Sequence, residues 1–225
     1  MSEQWEIITI DGPSGVGKST ISKKVAEATG FTYLDTGAMY RGVGFFLTSR
    51  SINFDNEAAV ESSLGQLDLQ LVPPVEDGGD VGVIVNGRNV SVEIRSPEIA
   101  MVASRVSALA IVREKLTEMQ RQLGVAGKIV AEGRDMGTVV FPDAMFKFFL
   151  DAHPEVRARR RVEQLRQQGC PAEFEEILSL TLERDKNDSE REIAPLKVAE
   201  DALLIDTTKM STAEVVTKVL AVILR

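Results

Sequence analysis

The chain has 225 residues, 44% hydrophobic and 27% charged, which is the composition of a folded globular protein. Asp and Glu outnumber Lys and Arg by 34 to 26, and the net charge of −8 argues against a nucleic-acid partner. One cysteine, Cys170, and one histidine, His153, exclude an intramolecular disulfide and a cysteine–histidine zinc site. No apolar run approaches the ~18 residues of a membrane span, and the acidic start lacks the pattern of a signal peptide. We therefore expect a cytoplasmic monomer with no membrane partner.

Strand-like and helix-like stretches alternate along the chain. Short runs rich in β-branched and aromatic residues predict strands at 5–10, 31–34, 128–131, 146–150 and 202–205. Apolar residues at helical spacing predict helices at 19–29, 37–49, 98–122, 154–168 and 173–186, and a capping box at Ser211–Glu214 opens a final helix. Strands separated by helices predict a parallel sheet with helices on both faces.

The segment 65–96 breaks this alternation. It is strand-like and rich in turn residues, and Asn86-Gly87 separates the runs VGVIV and RNVSV. Asn-Gly between two such runs is a strong signal for a tight β-hairpin. We therefore predict a small antiparallel insertion at 65–96 within one compact unit spanning 1–225.

A phosphate-binding motif follows the first predicted strand. Gly12-Pro-Ser-Gly-Val-Gly-Lys-Ser19 fits the pattern G-x-x-x-x-G-K-[ST] and leads directly into the first predicted helix. The glycines let backbone N–H groups turn toward phosphate oxygens, while Lys18 reaches the β- and γ-phosphates and Ser19 offers a hydroxyl ligand to Mg²⁺. The sequence thus predicts a nucleoside triphosphate bound with magnesium. The residues assigned to it are Gly12, Pro13, Ser14, Gly15, Val16, Gly17, Lys18, Ser19 and Thr20.

Two arginines follow other predicted strands, at the strand ends where ligands bind in an open parallel sheet. Arg41 comes shortly after the second strand and Arg134 directly after the third. A planar guanidinium suits phosphate oxygens, so the pair indicates a site for an acceptor phosphate. The alternative is that both are exposed surface charges, which the nearby phosphate loop disfavours.

Two further charged groups leave two interpretations open. The run 157–161 carries four arginines, and those at 157, 160 and 161 share one helical face. They form either a solvated surface or a lid that stabilises the charge of a transferring phosphoryl group. Arg184, Asp188 and Arg191 recur at helical spacing, either as surface ion pairs or as contacts for a sugar and a phosphate.

Motifs of other nucleotide-binding classes are missing. The chain contains neither the D-x-x-G nor the N-K-x-D of a GTPase switch, and no LSGGQ-like signature of a transport ATPase. The sequence therefore favours a kinase for a small acceptor over a nucleotide-dependent binding module without turnover.

Five segments together resemble the bacterial cytidylate kinases: IDGPSGVGKST, YLDTGAMYR, EGRDMGTVVFPDA, KFFLDA, and ERDKND followed by Arg191 and APL. The resemblance extends from about Trp5 to the final helix. It implies an α/β P-loop kinase fold, with a five-stranded parallel sheet, helices on both faces, a small antiparallel β insertion and a helical lid. It also implies a monophosphate-binding subdomain at 36–97 and a lid at 154–170.

The resemblance further implies an activity and a role for each candidate residue. The activity is transfer of the γ-phosphate of MgATP to CMP, and to dCMP, giving ADP and CDP or dCDP. The resemblance assigns the phosphate of CMP to Arg41, Arg134 and Arg184, and the cytosine to Ser104, Arg113 and Asp135. It assigns the ribose to Asp35, Thr36, Asp188 and Arg191, and the lid to Arg157, Arg160 and Arg161, with Lys18 and Arg134 acting on the transferring group.

The assignment of the base agrees with the chemistry of cytosine. Its pairing edge offers one amine donor and two acceptors, which match a carboxylate at Asp135 and donors at Arg113 and Ser104. Uracil would place a carbonyl against Asp135, and a mispaired polar group commonly discriminates by a few kcal/mol. The alternative role of Asp135 is to orient Arg134 or a magnesium-bound water. An alternative function also stays open, a P-loop kinase for UMP, AMP or a hydroxy metabolite such as shikimate or gluconate.

Overall fold

The computed structural model describes residues 6–75, 79–167 and 169–224. The chain divides into two compact units. The described parts of Met1–Leu34 and Ala126–Arg225 form the first unit, and those of Asp35–Val125 form the second. None of the helices in the described ranges combines the length and the apolar character that a membrane crossing requires.

Eight strands and eight α-helices occur in the described residues. The strands are β1 (Ile7–Asp11), β2 (Thr32–Asp35), β3 (Leu69–Val72), β4 (Gly82–Val85), β5 (Arg88–Asn89), β6 (Ile129–Gly133), β7 (Phe146–Asp151) and β8 (Leu203–Asp206). The helices are α1 (Lys18–Thr29), α2 (Thr36–Ser49), α3 (Glu57–Leu64), α4 (Pro97–Val106), α5 (Ala110–Gly124), α6 (Pro154–Gln167), α7 (Phe174–Glu190) and α8 (Thr212–Ile223). A short 3₁₀ turn, Glu93–Arg95, and a π-helical turn, Met136–Val140, complete the list.

A parallel five-stranded sheet with the order β2-β6-β1-β7-β8 forms the centre of the first unit. All five strands predicted from the sequence are confirmed, with ends shifted by one or two residues; Trp5 lies outside the described residues. The central strand β1 pairs with β6 so that Asp11 lies opposite Gly133. The segments that follow β1 and β6 therefore begin side by side at one edge of the sheet, where ligands bind in such folds.

The central strands are covered on both faces, as a parallel sheet between helices requires. Every residue of β1 and β6 is buried. The apolar side chains on one face pack with α1 and α8 into a single core, whose members include Ile8, Ile10, Val25, Val130, Leu150 and Val219. This core holds the carboxyl ends of β1 and β6, where the phosphate loop and the segment with Arg134 begin, in fixed positions.

Two helix ends in the first unit follow the signals in the sequence. Gly30 ends α1 in the left-handed conformation, at φ 71°, and its N–H donates to the carbonyl of Ala26. The predicted capping box of α8 is present, with Ser211 and Glu214 each bonding to the backbone of the other. Local chemistry therefore sets both ends.

The second unit contains the three-stranded antiparallel sheet β3-β4-β5 and the helices α2 to α5. The predicted hairpin is confirmed, because β4 and β5 are joined by Asn86 and Gly87 with φ values of 48° and 78°. Positive φ at both central residues is the type I′ turn that Asn-Gly favours. Residues 76–78, part of the turn-rich stretch before β4, lie outside the described residues.

The helix predicted over 98–122 is wrong as a single element, because the chain forms α4 and α5 with a break at 107–109. The carbonyl of Ser107 accepts the guanidinium of Arg113 (3.1 Å) in place of a helical N–H. The N–H groups of Ala108 and Leu109 turn to the carbonyls three residues earlier. Apolar periodicity continues across this break, so the sequence pattern does not reveal it.

Two other helices differ from the sequence prediction. Helix α7 continues four residues beyond 186, and its last turn is held from outside by the N–H of Leu196, which donates to the carbonyl of Asp188 (2.8 Å). Helix α3 was not predicted, although Asn56 caps it by accepting from the N–H of Ala59. Helix α6 matches the prediction over Pro154–Gln167, and Gln168 lies outside the described residues.

A glycine at the start of the phosphate loop has no room for a side chain. Gly12 has φ +144°, and a Cβ atom there would lie 2.0 Å from the backbone oxygen of Leu150, whereas Gly30 has open space around it. We expect Gly12→Ala to lower the free energy of unfolding by more than about 3 kcal/mol, through overpacking and strain. Gly30→Ala serves as the matched control, and strain alone costs it about 1 kcal/mol. Chemical denaturation of both variants measures the difference, and equal losses would contradict the close approach.

Candidate active site

The phosphate loop, residues 12–20, joins β1 to α1 as the motif predicts. Helix α1 begins at Lys18, and the next two residues, Ser19 and Thr20, are exposed. The Lys18 side chain is buried, and its Nζ donates to the carbonyl oxygens of Gly12 (2.8 Å) and Pro13 (2.7 Å). Two of the three N–H donors of the ammonium group thus bond to backbone carbonyls of the loop. These bonds fix the backbone conformation at the start of the loop.

Cations accumulate around Lys18. Burial lowers the pKa of Lys18 well below its ordinary value, and the charges of Arg134 and Arg184 lower it further. The carboxylates of Glu132 and Asp11 act in the opposite direction. Because like charges disfavour one another, an anionic ligand placed among these three cations is strongly favoured.

Asp11 ends β1 directly before the loop, and its side chain is buried. Its Oδ1 accepts the backbone N–H of Met136 (2.9 Å) and its Oδ2 accepts that of Gly137 (2.8 Å). Burial raises the pKa of Asp11 to about 6, although the two N–H groups and Lys18 act to lower it. The neighbouring charge of Asp135 adds to the rise.

Arg134 and Asp188 form an ion pair at the end of β6. Arg134 Nε donates to Asp188 Oδ2 at 2.7 Å. Burial acts to lower the pKa of Arg134, but the charge and the hydrogen bond of Asp188 outweigh it and raise the pKa. Burial acts to raise the pKa of Asp188, but Arg134 and Arg184 hold it below its ordinary value. Both groups are therefore charged at neutral pH, and the Arg134 side chain retains 18% exposure.

Asp135 and Arg191 adjoin this pair. Arg191 lies directly after the last residue of α7, in extended backbone, and its Nη2 is 3.6 Å from Asp135 Oδ1. Both side chains are almost fully buried. Within α7, Arg184 Nη1 donates to the hydroxyl of Ser14 in the phosphate loop (3.2 Å). The first unit thus brings Arg184, Asp188 and Arg191 to the phosphate loop and the end of β6.

Arg157 is buried in a network that joins three parts of the first unit. Its Nε donates to the carbonyl of Ala152 (2.8 Å), and its Nη1 donates to the carbonyl of Ser14 (3.1 Å). Both terminal nitrogens also donate to the carboxylate of Asp185, at 2.9 and 2.5 Å. With 3% of its side chain exposed, Arg157 connects α6, α7 and the phosphate loop.

The other two arginines that the resemblance assigns to the lid, Arg160 and Arg161, have looser contacts. Arg160 donates from Nη2 to the carbonyl of Thr207 (2.7 Å), in the segment after β8. Arg161 donates to the side chain of Gln164 (2.8 Å) one turn further along α6. Burial lowers the pKa of the Arg161 guanidinium. Both side chains belong to partly exposed residues.

In the second unit, Asp35 positions the start of α2. Its Oδ1 caps the helix by accepting the N–H of Ala38 (2.8 Å), and its Oδ2 pairs with Arg41 Nη2 (3.2 Å). Thr36, between them in sequence, is buried. The carboxylate thus sets the direction of the guanidinium that the sequence assigns to a phosphate.

The two base-reading candidates of the second unit lie on either side of the α4–α5 break. Arg113 is buried, donates to the carbonyl of Ser107 and has its guanidinium 5.6 Å from the centre of the Tyr40 ring. The carbonyl of Ser104 accepts the hydroxyl of Ser107 (2.7 Å). Ser107 therefore organises the local backbone around both candidates.

A cleft of about 710 Å³ adjoins the phosphate loop in the first unit. Its lining includes Pro13, Arg157 and Asp185, together with His153, Asp206 and Thr208. The described residues contain no group of three or more His, Cys, Asp or Glu side chains arranged to hold a metal ion. The cleft has the size of a small-molecule site.

Sequence reasoning missed three carboxylates that the structure places here. Asp11 holds the segment after β6, Asp185 holds Arg157, and Glu132 is a buried anion that acts on Lys18 and accepts the hydroxyl of Tyr33. Their positions beside recognised motifs were the only signals available, since Asp11 precedes the loop, Glu132 lies two residues before Arg134, and Asp185 follows Arg184.

A parallel sheet with a phosphate loop on its central strand, a buried loop lysine and a cluster of arginines defines a phosphotransferase with a P-loop kinase fold. The chain belongs to the cytidylate kinase family: the family model described as Cytidylate kinase matches residues 8–225. A cytidylate kinase from Thermosipho melanesiensis is 46% identical over 216 residues, covering 96% of this chain and 95% of that protein. One from Vibrio vulnificus strain CMCP6 is 46% identical over 220 residues, covering 98% and 96%. The crystal structure of an uncharacterized protein from Eubacterium ventriosum shares the fold at 14% identity, with a TM-score of 0.52 over 96% of this chain and 97% of that chain.

The Arg157–Asp185 pair makes a prediction about stability. Asp185→Asn removes the anion from a buried arginine, so we expect the free energy of unfolding to fall by about 2–3 kcal/mol, somewhat less than for a fully buried pair. Lys186→Gln is the matched control, because the adjacent Lys186 side chain is 69% exposed and lies only at 4.0 Å from Glu190; its loss changes stability by under about 0.5 kcal/mol. Urea denaturation of the two variants tests this, and equal effects would show that the pair does not hold α7.

Proposed function

We propose that this chain transfers the γ-phosphoryl group of MgATP to CMP, and also to dCMP, giving ADP and CDP or dCDP. The observation that carries the proposal is the cluster of Lys18, Arg134 and Arg184, in which burial lowers the pKa of the lysine and the charges of the two arginines lower it further. Such a cluster favours the charge of two phosphate-bearing ligands over water or a neutral acceptor. Membership of the cytidylate kinase family supports the choice of acceptor.

On the donor side, residues 12–20 bind the phosphates of ATP. The turn from Gly12 to Gly17 presents backbone N–H groups, and the start of α1 adds its positive dipole end. Mg²⁺ fits this loop, because the exposed hydroxyl of Ser19 is a hard oxygen donor and Mg²⁺ takes few protein ligands while keeping several waters. Bound there, the ion neutralises charge on the β- and γ-phosphates. The base and ribose of ATP enter the cleft beside Pro13 and Arg157.

On the acceptor side, the first unit contributes Arg134 and Arg184 to the phosphate of CMP. Arg134 suits this role because its guanidinium is charged, held in place by Asp188 and still partly exposed. Asp188 and Arg191 serve the ribose. From the second unit, the family resemblance adds Arg41 for the phosphate, and Asp35 and Thr36 near the ribose.

For the base, we propose Asp135 as the acceptor for the cytosine amine, with Ser104 and Arg113 as donors to its ring acceptors. Asp135 is 2% exposed, and its Oδ1 lies 3.6 Å from the Arg191 guanidinium. A carboxylate accepts from the amine of cytosine and repels the carbonyl of uracil. The contribution of the second unit to base reading again comes from the family resemblance.

The chemical step needs charge stabilisation more than proton transfer. The acceptor phosphate is an anion at neutral pH, and the transition state of phosphoryl transfer is loose, so no general base is required. Lys18 and the loop N–H groups stabilise the charge on the donor, and Arg134 aligns the acceptor with it. Arg160 and Arg161 of the lid helix approach the transferring group when the lid closes and help to exclude water.

Arg157 has a different role from the other two lid arginines in this proposal. Its guanidinium already donates to Ser14, Ala152 and Asp185, and 3% exposure leaves little of it for a ligand. It supports catalysis by holding the phosphate loop and by lining the cleft. The charge that acts on the transferring group then comes from Arg160 and Arg161.

The proposed activity is tested by coupled ADP release with MgATP against CMP, dCMP, UMP, AMP and GMP. We expect fast turnover with CMP and dCMP and weak turnover with UMP. Lys18→Ala should lower kcat by on the order of 10²–10³-fold, because it removes a preorganised cation from the transferring charge. Lys24→Ala, on the exposed face of the same helix, should leave the rate unchanged. If no monophosphate raised ADP release above ATP alone, the proposed function would fail.

The role of Asp135 is tested by substrate preference. Asp135→Ala should lower the ratio of kcat/KM for CMP to that for UMP by at least about tenfold, because the group that separates an amine from a carbonyl is lost. Asp143→Ala, at an exposed position beyond the π-helical turn, is the control and should preserve the ratio. A ratio that stays at the wild-type value while both rates fall would instead assign Asp135 to orienting Arg134 or a magnesium-bound water.

A further inference from the structure

Asp11 connects the strand that carries the phosphate loop to the segment that carries Arg134 and Asp135. Its two carboxylate oxygens accept the backbone N–H groups of Met136 and Gly137, at 2.9 and 2.8 Å. Met136 opens the π-helical turn directly after Asp135. The two hydrogen bonds therefore fix the backbone one and two residues beyond the proposed base-reading carboxylate.

The contact between β1 and this turn is also close-packed. A Cβ atom on Gly137 would lie 3.0 Å from Thr9 Oγ1, 3.3 Å from Lys147 Cδ and 3.4 Å from Asp11 Oδ2. A side chain at position 137 would push the turn away from β1. The absence of one lets Asp11 reach both N–H groups at short distance.

The phosphate loop, in contrast, has several supports of its own. Lys18 donates to the carbonyls of Gly12 and Pro13, and Arg157 donates to the carbonyl of Ser14. Loss of the Asp11 carboxylate therefore acts on the segment after β6 more than on the loop that binds the donor.

We propose that Asp11 is a positioning residue for the acceptor side of the reaction. Its ionised carboxylate holds the 134–137 backbone in place, and through it the side chains of Arg134 and Asp135 that meet the acceptor nucleotide. This role rests on the proposed CMP kinase activity, and Asp11 itself touches neither substrate.

The charge on Asp11 is maintained at a cost to folding. Burial raises the pKa of Asp11 from 3.8 to about 6. The protonated side chain therefore stabilises the fold fully below pH 4, and this stabilisation is lost as the pH rises through 6. The charged groups that act on Asp11 are Lys18 from α1 and Arg134 and Asp135 from the segment after β6, and Lys147 from β7 lies beside Gly137 of the same turn. Lys147 directs its ammonium to Asp201. A carboxylate accepts both N–H groups with its two oxygens, whereas the amide of an asparagine offers one accepting oxygen and an NH₂ group that can only donate.

The test compares Asp11→Asn with Thr9→Val. Thr9 is the matched control, because it is fully buried on the same strand and its Oγ1 makes no hydrogen bond among the described residues. At pH 8 we expect Asp11→Asn to raise KM for CMP at least about tenfold while KM for ATP changes less than about threefold. Thr9→Val should match the wild type in both constants.

The pH dependence separates the charge from the shape of the side chain. We expect the ratio of wild-type to Asp11→Asn kcat/KM for CMP to fall toward one between pH 8 and pH 5.5, because protonation makes the carboxyl as neutral as the amide. A phosphate monoester itself titrates near pH 6, but this affects both enzymes and cancels in the ratio.

Gly137→Ala tests the same contact without changing a charge, and serves if Asp11→Asn fails to fold. We expect it to raise KM for CMP in the same direction and to spare KM for ATP. The proposal is overturned if both variants keep the wild-type KM for CMP, or if Asp11→Asn changes both KM values equally with a ratio independent of pH. Wild-type turnover of CMP on the same plate distinguishes this failure from failure of the proposed function.

Discussion

The accumulation of like charge around the phosphate loop is the constraint on which the first unit depends. Burial lowers the pKa of Lys18, and the charges of Arg134 and Arg184 lower it further. Cations stay buried only when anions or hydrogen-bond acceptors compensate them. Here Asp188 pairs with Arg134, Glu132 acts on Lys18, and backbone carbonyls of the loop accept the ammonium. In the proposed function, an incoming phosphate adds a further anion to this group.

The arginines near the phosphate loop are of two kinds, which differ in how many hydrogen bonds they make to a carboxylate and in how exposed they are. Asp188 holds Arg134 by one bond and leaves 18% of its side chain exposed. Asp185 holds Arg157 by two bonds, and backbone carbonyls take further donors, so that only 3% is exposed. In the proposed function, an arginine of the first kind uses its exposed part to bind a phosphate. An arginine of the second kind is part of the framework that shapes the loop.

The features of the fold that depend on neighbouring residues could be predicted from the sequence, whereas the contacts between residues far apart in the chain could not. The five strands, the Asn86-Gly87 turn and the Ser211 capping box depend on neighbouring residues, and all were predicted. The break near Ser107 depends on a contact six residues along the chain with Arg113. The bond from Asp11 to the Met136 N–H spans 125 positions. No periodicity encodes a partner so distant, so the candidate residues could be named from the sequence while the carboxylates that orient them could not.

The order of strands explains how Asp11, at the end of β1, reaches the segment that follows β6. Because β1 and β6 are neighbours with Asp11 opposite Gly133, the phosphate loop and the segment that carries Arg134 start from adjacent strand ends. A side chain at the end of β1 is then within reach of the backbone that follows β6. If another strand lay between β1 and β6, the contact from the end of β1 to the backbone after β6 would need a longer side chain and a second residue to bridge the gap. Adjacent strand ends thus allow a short aspartate to fix the segment after β6 relative to the phosphate loop, and the proposed in-line transfer requires such a fixed arrangement.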